Sequence, residues 1–91
     1  MIEKIMKLLG YIKIDKIKIS KSFKYPKIEK LKKKTRFFVL TGSFFDKVIV
    51  NNENELLDGY TALIINHWIG KKYIKVEKLD CSLILYKELF K

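Results

Sequence analysis

The chain is poor in the residues that most often carry chemistry. Among its 91 residues there is one cysteine, Cys81, one histidine, His67, and one proline, Pro26. A lone cysteine excludes an internal disulfide and a cysteine-based zinc site, and it fits a reducing compartment. Its neighbour Asp80 carries the wrong charge to favour a thiolate. Arginine is also scarce: 19 of the 20 cations are lysine and the exception is Arg36. Lysine meets phosphate as a flexible point charge, whereas base reading and bidentate clamping favour arginine. No apolar run approaches the ~20 residues that span a bilayer. Met1 to Leu9 is interrupted by Glu3, Lys4 and Lys7 and does not read as a signal peptide. The expected location is cytoplasmic.

What is present is an apolar fraction of 48%, enough for a core. The length fits one domain over residues 1–91 with little surplus burial. The net charge is +10, and it is unevenly spread. Residues 1–36 hold 13 cations against 3 carboxylates, whereas residues 37–70 hold Lys47 alone against Asp46, Glu53, Glu55 and Asp58. The positive field is concentrated in one third of the chain, which points to an anionic partner for that face. A lysine-rich helix face that is merely solvated is the plain alternative.

Ile2, Ile5, Met6 and Leu9 fall at helical spacing, a short amphipathic helix over residues 1–10 that Gly10 can end. Ile12, Ile14, Ile17 and Ile19 alternate with polar residues and slip register near Asp15 and Lys16, as extended chain with a break does. Pro26 suits the first turn of a helix running to Thr41, with Gly42 as its C-cap. Lys47 to Asn51 reads as a strand, Asn51 to Asn54 as a turn, and Leu56 with Leu57 as a return strand. Asp58 is placed to cap a helix from Gly59 to Ile69. Tyr73, Ile74 and Val76 suggest a further strand, and Leu83 to Phe90 fits strand or helix equally. The class is α+β, a small mixed sheet with about three helices.

On a helical wheel of residues 26–41, Ile28, Leu31, Thr35, Phe38 and Val39 share the expected core face. Lys27, Lys30 and Lys34 lie opposite, with Lys33 nearby and Phe37 among them. An aromatic on such a face can stack a base, or it can be covered by the N-terminal helix. The Gly59–Ile69 helix is apolar nearly all round and should be buried. On it His67 reads as a core residue rather than a base or ligand.

From about residue 15 to residue 76 the order of elements resembles the ParB/sulfiredoxin-like domain. The matching pieces are Ile17–Lys18–Ile19, Thr41–Gly42, Val48–Ile49–Val50, Asn51–Asn52, Leu56–Leu57–Asp58–Gly59–Tyr60–Thr61, Ile69–Gly70 and Tyr73–Val76. In nucleotide-using members of that family an arginine follows the glycine at this helix start and meets phosphate, and peroxide-reducing members carry a cysteine in the same loop. Here Gly59–Tyr60–Thr61–Ala62–Leu63 has neither. Asp58, Gly59, Tyr60 and Thr61 therefore read as a degenerate phosphate loop, and no cofactor is expected.

Nothing else is arranged for catalysis. Ser20, Ser43 and Ser82 stand in no nucleophile motif. Asp46, Glu53 and Glu55 read as turn and surface charges rather than a magnesium site. The reading that ranks first is a non-enzymatic binding module. Its basic surface, Lys27, Lys30, Lys33, Lys34, Arg36 and Phe37 with Lys71 and Lys72, would meet DNA, RNA or a nucleoprotein complex without reading sequence. A second reading is an adaptor or inhibitor that uses the N-terminal helix to hold a partner protein or a second copy. A third, a nucleotide-dependent enzyme or nuclease of the resembling family, lacks its residues.

Overall fold

The computed structural model describes residues 4–5, 8–42 and 47–90. Among the described residues four strands and three α-helices follow in order, with a 3₁₀ turn at Ile14–Lys16 after the first strand: β1 Tyr11–Lys13, α1 Ile28–Thr41, β2 Val48–Val50, β3 Leu56–Asp58, α2 Tyr60–Trp68, β4 Tyr73–Lys78 and α3 Leu83–Phe90. The strands form one mixed sheet in the order β1-β4-β2-β3, with β4 parallel to β2 and the outer pairs antiparallel. The α+β class and the element order expected from the sequence are those observed. Among the described residues no helix is long and apolar enough to cross a membrane.

The β2–β3 hairpin is set by one side chain. The Asn51 carboxamide oxygen accepts the N–H groups of Glu53 and Glu55 at 3.0 Å each, while its Nδ2 donates to Glu55 Oε1. Such an Asx arrangement satisfies the turn's backbone without water. One face of the sheet builds the main core, where Ile17, Val48, Val50, Leu56 and Ile74 meet Ala62 and Leu63 of α2. The other face is covered at the β2–β3 side by α3, through Leu83 and Tyr86 against Leu57. α3 settles the open reading of Leu83–Phe90 as helix. Ser82 Oγ accepts the Leu85 N–H at 3.1 Å, an N-cap worth about 1 kcal/mol.

α1 ends as expected, with Gly42 left-handed at φ 75° and its N–H on the Phe38 carbonyl. Its start and its face differ from the expectation. The helix begins at Ile28, not Pro26, and only Leu31 of the expected core face is buried, against Ile64 and Ile65. Ile28 is 65% exposed and Val39 74%. The reason is the size of the support. α1 has 14 residues and α2 nine, so at 1.5 Å per residue α1 overhangs its partner by roughly 7 Å. Thr35 and Phe38 of that face are half-buried, and so are Lys34 and Phe37 from the face expected to be solvated.

Two further expectations are corrected, those for His67 and Asp58. His67 is exposed, because α2 is buried only from Thr61 to Asn66 and its last turn leaves the core. Asp58 does not cap α2, whose N-cap is Gly59 with no side-chain bond. Ile5 and Leu9 are 59% and 60% exposed, so these two residues of the N-terminal stripe face solvent. Ile2 and Met6 of that stripe, and Ser43 and Asp46, lie outside the described residues.

Candidate nucleic-acid interface

The loop at the start of α2 is a backbone crossing with no room for a side chain. Gly59 has φ 89°, and a Cβ there would stand 2.4 Å from the Lys47 carbonyl oxygen and 2.7 Å from Val48 Cα. Glycine is therefore required to bring β3 into α2 beneath β2. The preceding carboxylate is held in place: Asp58 Oδ1 accepts its neighbour's N–H at 2.8 Å, and Oδ2 accepts the Tyr86 hydroxyl at 2.8 Å. Burial, then the bond to Asp58 and its negative charge, push the Tyr86 hydroxyl up to about 12. The N-cap of α2 is Gly59, which brings no side-chain acceptor of its own, and helix starts attract anions.

Opposite that turn the structure brings cations that the loop itself lacks. Lys30 and Lys34, one turn apart on α1, share a cleft of about 390 Å³ with Asp58, Gly59, Tyr60 and Thr61. Lys24, Phe23 and Pro26 close its side. The segment before α1 is fixed from two directions. Phe23 packs on Tyr60 with ring centroids 5.4 Å apart, and Lys87 of α3 reaches back to donate to Ser22 Oγ at 2.9 Å. Three lysines against one aspartate make the cleft net positive. Lys24 was not singled out from the sequence, and no local pattern marks it. Its place depends on a loop that α3 and Tyr60 hold.

The remaining residues of the predicted surface do not join this cleft. Lys27, Lys33 and Arg36 are exposed, and Arg36 lies on the other flank of α1 with Lys32 and Trp68. Phe37 is half-buried, its carbonyl accepting the Thr41 hydroxyl. Lys71 holds its ammonium 5.4 Å from the Phe38 ring centroid, within cation–π range. It lines a separate cavity of about 610 Å³ with Lys47, Asn66, Tyr73 and Lys75, which shares no residue with the cleft. Lys72 is exposed and its carbonyl accepts the Ile14 N–H, tying the turn after β1 to β4. Among the described residues no three His, Cys, Asp or Glu side chains are grouped to hold a metal.

No protein-family model matches the chain, and no curated protein does. Solved structures do. Two structures of a pNOB8-like ParB N-domain superpose with TM-scores of 0.68 and 0.64, at 25% and 26% sequence identity. They cover 86% and 82% of this chain, which spans only 32% and 28% of theirs. The chain therefore has a ParB-like α+β fold.

Proposed function

We propose that this chain is a non-enzymatic binding module whose basic cleft contacts the phosphates of DNA or RNA without reading sequence. The observation that carries the reading is the convergence of Lys24, Lys30 and Lys34 on one cleft with the start of α2. A net charge of +10 supplies the longer-range attraction. The likeness to ParB N-domains, a family associated with DNA handling, supports the same direction by analogy. Lysines on phosphates position a strand and carry no base information.

The test is a salt series of binding isotherms on labelled duplexes of unrelated sequence. Each phosphate neutralised should contribute about −0.9 to the slope of log affinity against log salt. The double variant Lys30→Glu/Lys34→Glu should bind more weakly, flatten the slope by about 2, and do so equally for every duplex. Wild-type protein that retains no nucleic acid even at low salt would end this reading.

A further inference from the structure

The other flank of α1 is built from different material. Between α1 and the last turn of α2 runs a groove of about 490 Å³, floored by Leu31 and lined by Ile28, Lys32, Arg36, Val39 and Trp68. Trp68 is 58% exposed and stands beside the equally exposed Tyr25, ring centroids 6.2 Å apart. The chain's only tryptophan and only arginine therefore share one surface depression. Tryptophan, tyrosine and arginine are the residues that dominate binding energy at protein interfaces. An open apolar strip with such anchors marks an interaction surface.

Three observations select the occupant. First, the walls are aliphatic as well as aromatic. Unpaired bases gain from stacking on rings, whereas Ile28 and Val39 offer no ring to stack on. Second, two cations and no carboxylate are among the residues that line the groove. With a net charge of +10, a second copy would meet like charge, and an acidic partner the opposite. Third, the groove lies between two helices and follows α1 from Ile28 to Val39. At 1.5 Å per residue that is about 16 Å, three helical turns. This matches the reach of a helix that places apolar anchors at i, i+3 or i+4, and i+7.

The geometry points to this groove as the docking site for an acidic amphipathic helix of a partner protein. The inference stands on a different surface from the basic cleft and does not depend on it.

Trp68, the sole tryptophan, reports occupancy by its own fluorescence. The probe is a helical peptide of roughly 18 residues, five turns, with leucine along one face and glutamate elsewhere. Its controls are a scrambled peptide of the same composition and a poly-dT oligonucleotide. The leucine-faced peptide should shift Trp68 emission saturably. Val39→Asp and Arg36→Glu should each weaken it about tenfold or more, as removal of a central anchor does. Val39 and Arg36 are both exposed, so melting should be unchanged in each; Arg36→Glu alone suffices should Val39→Asp fold poorly. An unresponsive Trp68, or equal binding of the scrambled peptide, overturns the proposal. Emission that responds to poly-dT and not to the peptide would assign the groove to unpaired bases. Emission that changes with protein concentration alone would assign it to a second copy, and either result equally overturns the proposal. None of these outcomes touches the salt dependence of the Lys30 and Lys34 variants, so the two readings fail separately.

Discussion

The two flanks of α1 differ in how they are held. On one flank Lys30 and Lys34 face a loop fixed by Gly59, by Asp58 and, through Tyr86, by α3. On the other, Ile28 and Val39, 65% and 74% exposed, share a groove with the exposed last turn of α2. The same helix thus has a braced polar side and an unbraced apolar side. The usual arrangement of a surface helix is the opposite, with the apolar stripe against the core. Leu31 is the pivot: it is 4% exposed and, among the described residues, the only fully buried one of α1.

The largest effect is therefore expected at that pivot. Leu31→Ala should lower stability by about 2–5 kcal/mol, the range for emptying a packed leucine site. It should loosen both flanks together. Denaturant unfolding measures it, and a change under 1 kcal/mol would mean that α1 is not docked through Leu31.

Next comes the brace. Tyr86→Phe removes the hydroxyl that holds Asp58 and should cost about 1.5–3 kcal/mol, the range for a hydrogen bond to a charged group. The pH dependence follows from the same contact. The folded hydroxyl titrates at about 12 against 10.0 when unperturbed. Because its folded value is raised, the stability it contributes is fully present below pH 10 and is lost between about pH 10 and 12. Wild type should therefore converge on Tyr86→Phe across that window. Parallel stability curves through pH 12 would show that the hydroxyl does not carry the brace.

How much of this was legible in the sequence follows the same division. The strand and turn order was readable because Val48–Ile49–Val50, Asn51 and Gly42 act locally, through β-branching, an Asx turn and a left-handed cap. The phase of α1 was not, because a wheel assumes a partner as long as the helix and α2 is shorter. The exposure of His67 was missed for the same reason, since apolar content shows that α2 is buried without showing where burial stops. Half of the candidate site was legible as a lysine-rich stretch. That Lys24, Lys30 and Lys34 supply the charge missing from Gly59–Leu63 is a tertiary fact that no spacing encodes. Asp58 reads as a cap in the sequence, whereas one of its oxygens accepts the hydroxyl of Tyr86, 28 residues away, a contact that no local pattern announces.

A smaller effect sharpens the contrast within one helix. Val39→Ala should change stability by no more than about 0.5 kcal/mol, as exposed substitutions do, although it deletes an apolar side chain from the same helix as Leu31. A loss above 1 kcal/mol, measured by the same unfolding curves, would show that the apolar flank is packed in solution.

The smallest expected effect is on free nucleotides. Lys24, Lys30 and Lys34 bring to the cleft the charge that the loop lacks, and this alone would favour a triphosphate. Asp58 opposes it. Its carboxylate lines the same cleft, and its bonds to the Gly59 N–H and to Tyr86 hold it there. A compact triphosphate must place its oxygens close to that carboxylate, in a site where the cations are flexible ammonium groups rather than an arginine fork. An extended nucleic-acid strand can instead meet the lysines one phosphate at a time, at the mouth. Calorimetric titration of ATP or CTP with magnesium should accordingly give no saturable heat below millimolar nucleotide. Sub-millimolar saturation in wild type would overturn the assignment of Asp58. If Asp58→Asn alone gained binding, the carboxylate would be identified as the element that keeps this cleft for chains of phosphates rather than for a single nucleotide.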